Sequence, residues 1–118
     1  MKFKLMEDIE INQTVVMGPE NYWPLDLNGH QITGSGTLFE NDSKYGFLIE
    51  NTSNQPATVT TSSADAPVIL NSGVLSLKNV ALSGGSCGVS MEKTKSWDPS
   101  LTLDGGGITC ENGVGVKD

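Results

Sequence analysis

Few side chains here are suited to covalent chemistry, and they are scattered. His30 is the sole histidine, Glu7-Asp8 is the only adjacent pair of acids, and arginine is absent. A protein metal site needs three or four ligands. His30 has no second histidine and no cysteine near it in sequence, so the expectation is an exposed turn residue without a partner. Asp104 with Gly105-Gly106-Gly107 hints at calcium-binding solenoids. Those repeats place the aspartate after Gly-x-Gly and recur every ~9 residues, which this chain does not do. Glycoside hydrolysis needs two carboxylates facing one bond, and the only neighbouring acids lie in a terminal segment. The expectation is no catalytic residue, no metal and no other cofactor.

Side chains suited to binding are easier to find. Trp23 precedes Pro24 and a Leu-x-Leu stretch, and Trp97 precedes Asp98-Pro99 and another. Exposed rings in such places stack on sugars or anchor a protein. The competing reading folds each ring over its loop as a lid on local apolar surface, since tryptophan is usually mostly buried. Glu40, Asp42 and Lys44 cluster in one insertion. The expected partner-binding set is Glu40, Asp42, Lys44, Trp97, Asp98 and Trp23.

The charge balance narrows the partner. There are 14 acids against 7 lysines, a net charge of −7. Nucleic-acid binders gather Lys and Arg on one face, so direct binding of DNA or RNA is not expected, nor is an anionic polysaccharide. An acidic surface suits a basic partner, or simply solubility. No stretch approaches the ~18 apolar residues of a membrane helix. The first residues, Met1 to Asp8, lack an apolar signal core. The expected location is cytoplasmic, or extracellular or virion-associated if the chain is a piece of a longer protein.

These residues sit on a repeat. Leu25-Asp26-Leu27-Asn28-Gly29-His30-Gln31-Ile32-Thr33-Gly34 returns as Leu75 to Gly84 and as Leu101 to Cys110. Each copy reads Leu-x-Leu, a small polar turn, then Ile or Leu followed by Thr or Ser. The starts are 50 and 26 residues apart, twice about 25 and then about 25, the mark of stacked coils. A second pattern, x-Gly-apolar-x-apolar-charged, occurs at Tyr45 to Glu50, Cys87 to Glu92 and Asn112 to Lys117.

Alternation of period two predicts short strands. Leu25/Leu27, Leu75/Leu77 and Leu101/Leu103 would face inward on one sheet. Ile32, Leu82 and Ile108 would start a second. Phe47/Ile49, Val89/Met91 and Val114/Val116 would supply a third. Ile9-Glu10-Ile11 and Thr14-Val15-Val16 would belong to the first coil, and Ala57 to Thr60 with Val68 to Leu70 to an irregular one. Turns are expected at Asn28-Gly29, Lys78-Asn79 and Asp104-Gly105, residues that tolerate positive φ. Loops should leave the coil at 18–23, 51–56, 62–67 and 93–99, where four of the five prolines lie. A 25-residue register puts Cys110 one coil up from Cys87 and two residues back, too far for a disulfide. The 26-residue offset between the second and third decapeptides stacks Asp104 on Lys78 as an exposed cross-strand pair.

The string Leu25 to Ile32 resembles the LDLNGH-type coils of bacterial surface and phage-associated β-helix proteins, and the repeat as a whole resembles the pectin-lyase-like superfamily. The resemblance implies one all-β domain, residues 1–118: a short right-handed parallel β-helix (β-solenoid) of about 4–5 coils and ~25 residues per coil. A strand or cap would occupy 1–16 and the coils 17–118. That superfamily includes lyases, hydrolases, tailspikes and adhesins, so fold alone does not give function. Its hydrolases carry Asp-Asp and Gly-His-Gly motifs, whereas here Gly29-His30 is followed by Gln31. Its pectate lyases use an arginine base, which is missing. The expectation is therefore a non-catalytic binding module of a bacterial or phage surface or appendage, with a protein partner before a glycan. The alternative is a small intracellular acidic inhibitor that blocks a nucleic-acid-binding protein by charge mimicry, and a glycan-active enzyme ranks third. Lys2 to Asp8 would cap one end. Val114 and Val116 would form an apolar edge at the other, open to self-association.

Overall fold

The structure, a computed structural model, describes residues 3–94, 96–109 and 116–117. Fifteen short strands follow one another in five rungs, with no helix among the described residues. The first rung is β1 (Phe3–Lys4), β2 (Ile9–Ile11) and β3 (Val15–Met17). The second is β4 (Trp23–Asp26), β5 (Gln31–Gly34) and β6 (Phe39–Asn41), and the third is β7 (Phe47–Glu50), β8 (Thr58–Thr61) and β9 (Ile69–Asn71). The fourth is β10 (Val74–Lys78), β11 (Ala81–Ser83) and β12 (Val89–Met91), and the last is β13 (Ser100–Asp104), β14 (Gly107–Thr109) and β15 (Val116–Lys117). Strands three apart in sequence pair in parallel, giving three five-stranded sheets: β1-β4-β7-β10-β13, β2-β5-β8-β11-β14 and β3-β6-β9-β12-β15. The chain is a three-sided parallel β-solenoid.

Each side contributes a file of apolar residues to one interior. On the first sheet Phe3, Leu25, Ile49, Leu77 and Leu103 stand in register. On the second the file is Ile9, Ile32, Val59, Leu82 and Ile108. On the third it is Val15, Phe39, Ile69, Val89 and Val116. The middle rungs are dry: Ile49, Val59, Ile69, Ile32 and Val89 have no exposed surface. Phe39 and Phe47 meet edge to face, centroids 5.2 Å apart, and tie the third sheet to the first. Leu25 packs partly buried against this core, while Leu103, with its file ending at the last rung, is half exposed.

The turns after the first sheet behave as their residue types demand. Asn28 and Asn79 take φ of 51° and 58°, and Gly29, Gly105 and Gly106 lie between 70° and 77°. Only glycine and, at some cost, asparagine occupy this region readily. Lys78 and Asp104 are register partners, as their spacing implied, and both are exposed.

Several expectations need correction. Phe47 and Ile49 lie on the first sheet, beneath Leu75 and Leu77, not on the third. Alternation gives a strand but does not say which of three sides it occupies, and Tyr45 to Glu50 and Cys87 to Glu92 have the same pattern on different sides. Leu25 aligns with Leu77 rather than with Leu75, its counterpart in the decapeptide. Trp23 belongs to β4, not to the preceding loop. Phe3–Lys4 pairs with β4 as the outermost described strand of the first sheet. Val116 stands over Val89, a spacing of 27 rather than 25 residues. Val114 and Cys110 lie outside the described residues, and Cys87 is a buried free thiol. Rungs are uneven: on the third side, Phe39 to Ile69 takes thirty residues and Ile69 to Val89 twenty.

Candidate partner-binding corner

The polypeptide passes from the third sheet to the first at one corner, and these passages stack on each other. Two buried asparagines organise the stack. Asn41 Nδ2 donates to Asn71 Oδ1 and to the Val74 carbonyl, both at 2.9 Å. Asn71 Nδ2 donates in turn to the Ser100 carbonyl at 2.9 Å. Each side-chain oxygen also accepts a backbone N–H two residues on, Ser43 at 3.1 Å and Gly73 at 3.2 Å. Ser43 continues the network: its hydroxyl donates to the Asn21 carbonyl and accepts from the Gly46 N–H at 3.0 Å. A buried network with every partner in place is rigid. The layers are also close: a Cβ on Gly73 would lie 2.2 Å from the Ser43 carbonyl oxygen, so only glycine fits.

This rigid corner carries an aromatic and charged surface. Tyr22 and Tyr45 are both more than half exposed. The Tyr22 ring lies where a Cβ on Gly46 would touch it at 3.3 Å. Lys44 Nζ stands 5.3 Å from the Tyr45 ring centroid and 5.6 Å from that of Trp97, within cation–π range of both. The same ammonium is 3.6 Å from Glu20. Asp98 pairs with Lys93 at 3.0 Å. The Trp97 indole N–H is buried and has no hydrogen-bond partner among the described residues.

The structure thus unites Lys44 with Trp97 and its neighbour Asp98, although 53 residues separate Lys44 from Trp97. Asp42 stands half-buried at the start of the Lys44 turn, its N–H donating to the Met17 carbonyl. Glu40 sits on the outer surface of the third sheet between Val16 and Leu70. Trp23 plays a different part. It is half-buried against the core, in register with Phe47, and its indole N–H donates to the Gly18 carbonyl at 3.2 Å. Tyr22 and Tyr45 were missed by sequence reasoning. Their signal is position: each closely precedes a first-sheet strand, at Tyr22-Trp23 and Tyr45-Gly46-Phe47.

His30 also departs from expectation. It is half-buried, and Nδ1 lies 3.1 Å from Asp8 Oδ1. The Gln31 N–H donates to the same oxygen at 2.9 Å. The Gln31 backbone bond and then the His30 contact hold the Asp8 carboxyl below the ordinary aspartate range. A depressed acid stabilises the fold above its unfolded pKa, and this contribution is lost as pH falls through the folded value. Asp8→Asn keeps an acceptor for Gln31 but removes the charge. Its expected effect is a shallower acid limb in urea midpoints followed from neutral pH downward, with the difference from wild type vanishing in strong acid.

Among the described residues no three His, Cys, Asp or Glu side chains converge as a metal site would need. No helix there is long and apolar enough to cross a membrane. We found no match to the chain among protein-family models, curated proteins or solved structures. Its class is therefore given by its architecture, the parallel β-solenoid.

Proposed function

We propose that this chain is a non-catalytic binding module that anchors a basic protein surface at its aromatic corner. The observation that carries this reading is Lys44 held between Tyr45 and Trp97, on turns locked by Asn41 and Asn71. Binding energy concentrates in a few aromatic and cationic anchors on rigid supports. Glu20 and Asp98 are strongly exposed beside them, paired with Lys44 and Lys93, so they form a polar rim around the rings. The preference for a basic partner rests on the net charge of −7, which speeds the approach of such a partner. The LDLNGH decapeptide together with three stacked parallel sheets supports kinship with the pectin-lyase-like superfamily, and with it a role in a bacterial or phage surface or appendage. The acidity also supports the second reading, an inhibitor that occupies a nucleic-acid-binding site by charge mimicry.

The test is a binding screen against purified basic proteins and an array of neutral glycans, repeated with variants. Tyr45→Ala and Trp97→Ala are each expected to weaken a protein complex by at least about thirtyfold. Tyr45→Ala should leave stability within about 0.5 kcal/mol of wild type, because the ring is exposed. Binding that survives Tyr22→Ala, Tyr45→Ala and Trp97→Ala combined would reject the corner. Binding confined to neutral glycans would reject a basic protein partner. Competition by nucleic acid for the same protein target would favour mimicry over a surface module.

A further inference from the structure

We propose that the Tyr45 and Trp97 rings form a cage for a lysine ammonium of the partner protein, and that Lys44 fills this cage until the partner's lysine displaces it. The inference rests on the reading of the corner as the binding surface and names what that surface grips. The Lys44 ammonium lies 5.3 Å from the Tyr45 ring centroid and 5.6 Å from that of Trp97. The two rings come from turns far apart in the chain, before β7 and before β13. Glu20 sets a carboxylate on the same ammonium at 3.6 Å. Two aromatic rings and an acid around one cation are the elements of an aromatic cage, which holds alkylammonium groups by charge and ring quadrupole together. The occupant held in cis gives the chemistry of the occupant sought in trans: a compact primary ammonium on a flexible aliphatic stem.

The walls of the cage are held more firmly than its occupant. The Lys44 N–H donates to the Pro19 carbonyl at 3.2 Å, which seats this turn on the one that carries Glu20. The preceding Ser43 is buried, its hydroxyl bonded to Asn21 and Gly46. Beside Trp97, Asp98 pairs with Lys93 across the loop. Among the described residues the Lys44 ammonium has only the rings and Glu20. Its distance to Glu20 exceeds that of a direct hydrogen bond, and an exposed pair of this kind contributes little. The Lys44 side chain is 37% exposed, so it leaves by rotating about its own stem while the backbone of the turn stays fixed. As a tethered competitor it is present at high effective concentration. A cage open for about a tenth of the time shows a free ligand about a tenth of its intrinsic affinity. A lysine presented on a protein surface adds contacts around the cage and outcompetes Lys44, whereas an isolated amine does not.

Titration of the 118-residue chain with Nα-acetyl-lysine amide, followed by NMR of the indole N–H signals, tests this. The chain has two tryptophans, and Trp97→Phe identifies which signal is which. Lys44→Ala is expected to bind the lysine amide about tenfold more tightly than wild type, with the Trp97 signal moving and the Trp23 signal still. A gain of affinity on removing a side chain is a result that a merely structural role for Lys44 would not produce. Nα-acetyl-norleucine amide, which lacks the ammonium, should move neither signal. In the Lys44→Ala background, Glu20→Gln should weaken binding about threefold and Tyr45→Ala should remove it. Lys44, Glu20 and Tyr45 are exposed, so circular dichroism should show unchanged folding throughout. Equal affinity of Lys44→Ala and wild type would overturn the inference. So would norleucine amide binding as well as lysine amide, or phosphocholine binding in preference to both. If Tyr45→Ala and Trp97→Ala still weaken a protein complex while Lys44→Ala brings no gain, the cage falls and the binding corner stands.

Discussion

Phe47→Ala is expected to destabilise the fold by about 3–5 kcal/mol, a large share of the roughly 5–15 kcal/mol typical of a whole domain. The ring is fully buried and meets Phe39 edge to face. Trp23 and Leu75 flank it in register on the rungs below and above. Those neighbours are fixed by their own backbone ladders, so they cannot move in to fill the space. The loss therefore includes both burial and a persistent cavity. A urea midpoint well below that of wild type, with an unchanged slope, is the expected reading. Phe47→Leu should fall between the two. A Phe47→Ala midpoint within error of wild type would mean that the interior is not packed as described.

Asn71→Ala should cost about as much, for an unrelated reason. Its side chain loses no apolar burial of consequence. What it loses is a set of partners: the Ser100 carbonyl, the Gly73 N–H and Asn41 Nδ2 all depend on it. Each buried polar group left without a partner costs about 1–3 kcal/mol, so the expected total is about 3–5 kcal/mol. Asn71→Asp is the sharper control at neutral pH. It preserves shape and the acceptor for Gly73, but sets a carboxylate oxygen against the Ser100 carbonyl, so it should recover little. Equal stability for Asn71→Ala and wild type would show that water replaces the side chain at this corner.

The three-sided coil was legible because its cause is local. Leu-x-Leu, Ile-Thr and Val-x-Met each alternate with period two, and Asn-Gly or Asp-Gly turns separate them. The assignment of strands to sides was not, because Phe47-Leu48-Ile49 and Val89-Ser90-Met91 have the same alternation. What separates them is accumulated loop length, which a periodic pattern does not record. The same fact explains the two-residue slip of Leu25 against Leu75. The candidate site was half legible. Lys44, Trp97 and Asp98 stood out by type, and the structure brings them together. Tyr22 and Tyr45 did not, because an exposed tyrosine has no pattern of its own. The pairing of His30 with Asp8 spans 22 residues across rungs and needed the register to be seen.

The uneven rungs have a consequence for how such a molecule can change. Thirty residues separate Phe39 from Ile69 and only twenty Ile69 from Val89, yet all three occupy one file. The interior records side and alternation but not chain length between sides. Insertions and deletions at the corners therefore leave the stack intact, and a lineage can remodel the surface it shows to the outside by lengthening one turn at a time.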